Sequence, residues 1–261
     1  MTKRVKGKHT QLLKDKVALV TGSSRGIGAG IIRLFAKHGA KVAVHGRDMP
    51  TLAAVHAEIE WNGGRAIQVG ADITKLNEIE AMRRQIEQQL GPVDILVANA
   101  GGNHVVPGPL ESIGEDGWRL TIDGNLTATF LSLKSFLPGM KERRRGSIVT
   151  ISSAAARRAH PATPIPYAAA KAGIIMMTQH LATQVGPFNI RVNCITPETI
   201  LTESNRERIP ESQQATLAEA HPLRRLGTVE DVAQAALYLA SDDAAWVTGV
   251  VLDVAGGAVT L

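Results

Sequence analysis

This chain of 261 residues is short of several things that mark whole classes of protein. Cysteine occurs once, at Cys194, so no disulfide can close within the chain. That excludes the disulfide-rich secreted class and leads us to expect a reducing compartment, the cytoplasm. No apolar run approaches the ~18 residues of a membrane-crossing helix, so no membrane partner is expected. Leu12-Leu13 is cut off by Lys14-Asp15-Lys16, which leaves no continuous apolar core for a signal peptide. The eight histidines and the cysteine show no metal-ligand spacing, so no metal is expected. No repeat, low-complexity tract or linker divides the sequence. One domain is therefore expected, although ~100–200 residues per domain would allow two. Excess charge is missing from the body as well. The net +5 is matched by Lys3, Arg4, Lys6, Lys8, Lys14 and Lys16 against Asp15, and the rest of the chain is neutral. Residues 1–14 read as a basic, flexible, solvated arm rather than a nucleic-acid surface, and 15–261 as the folded domain.

What is present is a regular alternation. Continuously apolar runs at 17–20, 41–44, 66–69, 93–98, 147–151, 190–195 and 250–254 read as seven strands. Helical patterns follow at Gly28 to Lys37, 51–61, 75–90, 115–140, 166–185 and 228–240. Strands that are apolar throughout are buried on both faces, and strict alternation with helices implies βαβ units. The expected fold is α/β: a single-domain, Rossmann-type, doubly wound sheet of seven mostly parallel strands with helices on both faces. The polar segment 198–224, flanked by Pro197 and Pro222, lies past the sixth strand's carboxyl end. Open α/β sheets bind ligands beyond that edge, so this segment is a candidate substrate lid.

Thr21-Gly22-Ser23-Ser24-Arg25-Gly26-Ile27-Gly28 follows the first strand and opens a helix. Its glycines permit a tight turn, close backbone approach to a pyrophosphate and close helix–sheet packing. The helix N-terminus offers free N–H groups to the anion. The spacing Gly-x-x-x-Gly-x-Gly resembles the short-chain dehydrogenase/reductase family, and the resemblance runs from about Lys16 to the C-terminus. It implies that Gly22, Ser24, Arg25, Gly26, Ile27 and Gly28 bind a nicotinamide dinucleotide. Members that prefer NAD carry an Asp where this chain has Gly46, and Arg47 follows directly. With no carboxylate to repel a 2′-phosphate, and with Arg25 and Arg47 to clamp it, the expected cofactor is NADP(H). Asp72 resembles the acid that accepts from the adenine amino group, with Ile73 beside it; a helix N-cap in Asp72-Ile73-Thr74 is the equal alternative. Asn99-Ala100-Gly101 resembles the family's Asn-Ala-Gly element, in which Asn99 reads as structural.

Tyr167 and Lys171 stand i, i+4 on an expected helix and share a face. An ammonium beside a phenol favours the phenolate, which a tyrosine needs to work at neutral pH. Ser152-Ser153 lies shortly upstream at the end of the fifth strand, and with Tyr167-Ala168-Ala169-Ala170-Lys171 it is close to the family's active-site pattern. By that resemblance Ser153 bonds the reacting oxygen and Tyr167 moves the proton. Lys171 lowers the tyrosine pKa and bonds the nicotinamide ribose. Asn125, in Asp123-Gly124-Asn125-Leu126, holds a water in a proton relay. A Ser/Lys hydrolase lacks support, since there is no Gly-x-Ser-x-Gly elbow.

Two departures stand out. Pro197-Glu198 replaces the family's Pro-Gly, although Thr199, Ile200 and Thr202 still resemble the stretch that contacts the carboxamide, with Pro197 before them. Val254-Ala255-Gly256-Gly257 lacks the usual Asp. Pro222–Gly227, Asp231–Ala233 and Val247–Gly249 resemble the 3-oxoacyl-[acyl-carrier-protein] reductase branch. An acyl thioester is thus one candidate among small carbonyl or alcohol substrates, with Lys141–Arg145 as a candidate basic landing patch. Arg157 and Arg158, close after the catalytic serine, raise the alternative of an anionic substrate. The resemblance implies a homotetramer built on helices 115–140 and 166–185. A regulatory protein that binds NADP(H) without turnover is the rival reading, with Glu198 as its one supporting feature.

Overall fold

The computed structural model describes residues 11–259. Its framework is one sheet of seven strands: β1 (Val17–Val20), β2 (Lys41–Gly46), β3 (Arg65–Gly70), β4 (Ile95–Ala98), β5 (Gly146–Ile151), β6 (Ile190–Pro197) and β7 (Val251–Val254). The order is β3-β2-β1-β4-β5-β6-β7, and all six pairings are parallel. The chain winds outward from β1 to β3, then returns to the middle and continues through β4. The crevice between the carboxyl ends of β1 and β4 is therefore the switch point at which open α/β sheets bind ligands.

Alternate strand residues serve opposite cores. Ala18 and Val20 join a cluster with α1 (Gly26–Lys37), α2 (Met49–Trp61) and α9 (Val229–Ala240). Val17 and Leu19 join another with α3 (Leu76–Leu90), α5 (Ala128–Arg143) and α6 (Ile165–Val185). This two-sided burial is what the continuously apolar strand runs require. Helix α9 opens on a capping box in which Thr228 and Asp231 exchange bonds with each other's backbone.

Two expectations need correction, and one segment gains detail. The helix expected at 115–140 is interrupted. It begins as α4 (Glu115–Ile122), widens to a π turn over Asp123–Thr127, and resumes as α5 to Arg143. The segment 198–224 contains two short helices, α7 (Glu203–Arg208) and α8 (Glu211–Glu219), capped by Thr202 and preceded by Pro210. Finally, the packed body reaches back into the expected arm. Leu13 is fully buried and its N–H donates to His38 C=O at 3.0 Å. The arm's residues 1–10 lie outside the described residues. Among the described residues no helix is long and apolar enough to cross a membrane, and no group of His, Cys, Asp or Glu is placed to hold a metal ion.

Candidate active site

The glycine turn sits at the carboxyl end of β1. Gly22 has φ +66°, which an L side chain rarely adopts. Gly28 has no room for a side chain, since a Cβ there would lie 2.3 Å from Gly22 O and 2.6 Å from Asn99 Nδ2. Asn99 secures the turn from the next strand. Its Nδ2 donates to Thr21 C=O at 2.9 Å, while Thr21 Oγ1 accepts from the N–H groups of Asn99 (3.0 Å) and Ala100 (3.1 Å). Asn99 is thus structural, and Ala100 packs on Gly22.

Gly46 ends β2 against the same turn. A Cβ there would stand 3.1 Å from Ser24 Oγ, so a larger residue would crowd Ser24. Arg25 and Arg47 are exposed beside it, and among the described residues no hydrogen bond or ion pair engages either guanidinium. Asp72 follows β3. Its Oδ1 accepts from Thr74 N–H (3.0 Å) and Thr74 Oγ1 (2.7 Å), and these bonds hold its carboxyl below the usual range. It forms a local turn rather than a helix cap, because the cap position of α3 belongs to Lys75. Thr202 reaches the glycine turn from far along the chain: its methyl would lie 3.4 Å from a Cβ on Gly26. Its neighbour Glu203 accepts from the Gly26 N–H at 3.1 Å.

The second group gathers where β4 and β5 end. Tyr167 and Lys171 lie one turn apart on α6, with Lys171 Nζ 5.6 Å from the Tyr167 ring centre. Lys171 is buried and donates to Ile151 C=O at 2.9 Å. Burial lowers it to about 8. Burial also pushes the Tyr167 phenol up, against an opposing pull from the nearby Ser153 hydroxyl, whose Oγ accepts from the Ala155 N–H at 3.1 Å. Ser152 serves another purpose: its hydroxyl donates to Lys171 C=O at 2.7 Å and pins α6 to β5. Asn125, turned inward by the π turn, is fully buried. Its Nδ2 donates to Gly102 C=O (2.7 Å) and Thr121 C=O (2.8 Å), and its Oδ1 accepts from Gly102 N–H (3.2 Å). A Cβ on Gly101 would fall 2.4 Å from Asn125 Oδ1 and 3.5 Å from Lys171 Nζ, so the loop after β4 is wedged between them. The residues expected for catalysis and those expected for the dinucleotide thus share one sheet edge.

A family model described as enoyl-(acyl carrier protein) reductase matches residues 22–259. The chain belongs to the short-chain dehydrogenase/reductase family. It is 39% identical over 247 residues to glucose 1-dehydrogenase 2 of Bacillus subtilis (strain 168), covering 94% of this chain and 95% of that one. Its fold matches a 3-oxoacyl-[acyl-carrier protein] reductase from Brucella melitensis with bound NAD at TM-score 0.88, with 34% identity over 96% of this chain and 94% of that one. It also matches a gluconate 5-dehydrogenase from Burkholderia cenocepacia J2315, in complex with NADP and tartrate, at TM-score 0.88, with 30% identity over 95% and 97% of the two chains. The short-chain dehydrogenase/reductase family is one of oxidoreductases that bind a nicotinamide cofactor, and this chain is an enzyme of that family.

The residues present fit such a cofactor. The Gly26 N–H already holds an anionic oxygen, the Glu203 carboxylate, at the start of α1, where a phosphate oxygen has the same requirement. The substrate side departs from expectation. Arg157 pairs with Asp253 at 3.2 Å and Arg158 with Glu198 at 3.4 Å, so both arginines already carry carboxylate partners. Glu198, which has no counterpart in the family's Pro-Gly, also accepts from Thr199 N–H. The ring of His221 bridges Glu198 Oε2 and Leu217 C=O, each at 2.8 Å. Glu198 therefore joins the two ends of the 198–224 segment and ties them to the loop after Ser153. Hydrogen bonds from its neighbours hold the carboxyl below the usual range despite burial.

The basic stretch 141–145 does not face the site. It lies where α5 turns into β5, at the amino edge of the sheet. Arg143 donates to Val93 C=O and Arg144 to Pro187 C=O, each at 2.7 Å, and Arg145 grips Asp94 at 2.6 Å. Lys141 lies 5.0 Å from the Phe188 ring centre. These cations close a helix C-terminus. His45, Glu203 and His221 were not singled out in the sequence. Each meets partners that are remote in the chain or carry no local motif.

Proposed function

We propose that this enzyme interconverts a carbonyl and a secondary alcohol with NADP(H), in the cytoplasm, as a homotetramer. The observation that carries the reaction is the half-buried Tyr167 phenol, near enough to the Ser153 hydroxyl to feel its pull and one helical turn from the buried Lys171 ammonium. When bound, the cofactor supplies or accepts a hydride at the reacting carbon. Ser153 binds the oxygen on that carbon. Tyr167 gives this oxygen its proton in reduction and takes it in oxidation. Lys171 stabilises the phenolate and would bond the nicotinamide ribose. Asn125 holds the loop at Gly102 against Lys171 and the proton relay.

Gly22, Ser24, Arg25, Gly26, Ile27 and Gly28 would hold the phosphates, with Arg25 and Arg47 on the 2′-phosphate. Asp72 and Ile73 would meet the adenine, while Asn99, Ala100 and Gly101 line the middle. Pro197, Thr199, Ile200 and Thr202 would meet the carboxamide. The choice of NADP(H) is supported by Gly46, which offers no acid, and by the two unengaged guanidinium groups beside it. Segment 198–224 acts as the lid. Exposed Leu120, Phe130 and Met176 on α4, α5 and α6 support association of copies through those helices. Relatives named as dehydrogenases and reductases favour turnover over a binding role alone.

The test is cofactor oxidation, followed by absorbance, against sugar-derived ketones and keto acids, 3-oxoacyl thioesters and diketones. Turnover with NADPH should exceed that with NADH. Tyr167→Phe should lower it by ~10²–10⁴. Arg47→Asp should raise the KM for NADPH at least about tenfold and favour NADH, through loss of a charge-assisted contact. Equal kinetics with both cofactors before and after Arg47→Asp would refute the NADP(H) assignment.

A further inference from the structure

His45 is a buried, polar, titratable side chain to which the chemistry above gives no role. It is 2% exposed and stands one residue before Gly46 at the carboxyl end of β2. Four hydrogen bonds converge on it. Its N–H donates to Ser23 Oγ at 2.9 Å, and its C=O accepts from Ser23 N–H at 2.8 Å. On the ring, Nδ1 meets the Gly22 N–H at 2.9 Å and Nε2 meets Ala71 C=O at 3.2 Å.

These partners fix the ring's state. A backbone N–H can only donate, so Nδ1 must be bare; a backbone carbonyl can only accept, so Nε2 must carry the hydrogen. The ring is the neutral Nε2–H tautomer, and burial holds its pKa down to about 4. β1 and β3 do not touch, because β2 lies between them. The imidazole spans that gap at the carboxyl edge. It ties Gly22, the first glycine of the phosphate turn, to Ala71, the residue before Asp72 and Ile73. Its own backbone leads directly into Gly46 and Arg47.

We infer that His45 is the positioning residue of the adenosine half of the cofactor cleft, a strut that presets the phosphate turn, the 2′-phosphate position and the adenine wall as one unit. The inference rests on the NADP(H) reading and adds a residue to it. A leucine at 45 fills similar space but leaves the Gly22 N–H with no acceptor, so the turn is free to leave the conformation that grips phosphate. An asparagine keeps one acceptor and one donor on a shorter stem.

The experiment compares the intact protein with His45→Leu and His45→Asn. NADPH affinity is measured by calorimetry, and kcat and both KM values by steady-state kinetics. Ring nitrogens are read by long-range ¹H–¹⁵N NMR in the protein without cofactor. His45→Leu should weaken NADPH binding at least tenfold and raise its KM in step. The carbonyl KM should stay within about twofold, and His45→Asn should recover most of the lost affinity. The NMR spectrum should show a neutral Nε2–H histidine at mildly acid pH that is missing from His45→Asn. Folded His45→Leu that binds NADPH as the intact protein does would overturn the inference alone. So would a His45 signal that is charged or in the Nδ1–H form, a readout that stands even where His45→Leu fails to fold. An intact protein that binds no NADPH would instead overturn the functional reading beneath it.

Discussion

Tyr167 and Lys171 share one face of α6, and burial moves them in opposite directions, the phenol up and the ammonium down to about 8. On the proposed mechanism, reduction needs the Tyr167 proton and the positive charge of Lys171 beside it. The kcat/KM for carbonyl reduction should therefore be level below about 8 and fall as pH rises through that value. Lys171→Met should be slower by ~10²–10⁴ and lack that limb of the profile. Stability runs the other way. Between about 8 and 10.5 the unfolded chain binds the lysine proton and the folded chain resists it, so unfolding free energy from this group should rise with pH across that window. At this scale much of the site was legible, because Tyr-x-x-x-Lys and the glycine spacing are local patterns with a local geometric meaning. Asp72 shows where legibility ends, since one short stretch was compatible with a cap and a ligand contact. The structure spends Oδ1 on Thr74. His45 shows the other boundary: its partners are set by strand order, which no nearby residue announces.

Among elements, the strands were the most legible, since burial on both faces requires the uninterrupted apolar runs seen in the sequence. The break between α4 and α5 was hidden. A π turn adds one residue without changing composition, and its effect is to bury Asn125. Helices α7 and α8 were hidden because they are short and polar, and little burial accompanies their formation. What fixes this segment is its base, where Glu198 meets His221 and Arg158. Glu198→Gly restores the residue usual in the family but leaves the buried His221 without its carboxylate. The expected result is a carbonyl KM raised several-fold, a cofactor KM little changed, and a stability loss of about 1–3 kcal/mol in a thermal or denaturant melt. An unaltered carbonyl KM together with an unaltered melt would refute the role given to this clasp.

At the scale of the molecule, seven strands that all run one way give the protein two unlike edges. The amino edge is a scaffold, where the Asp94 carboxylate accepts from the Val17 N–H at 3.0 Å and pairs with Arg145. The carboxyl edge carries every residue proposed to touch cofactor or substrate. That division was legible from the order of elements alone, since a β-α alternation with parallel strands leaves ligands one edge to bind. The surface proposed for assembly was less legible, because exposed apolar side chains on α4, α5 and α6 become visible as a surface only once the helices are placed.

The lone Cys194 sits inside β6, fully buried, with its thiol pushed up by that burial. A thiol that is both enclosed and protonated is a poor nucleophile, so the folded protein should stay silent toward a chromogenic disulfide reagent until it unfolds. Ser212 is exposed on α8. Ser212→Cys would then be the one addressable position on the surface. A dye attached there would report movement of the 198–224 segment as cofactor and carbonyl are added, against no background from the rest of the chain.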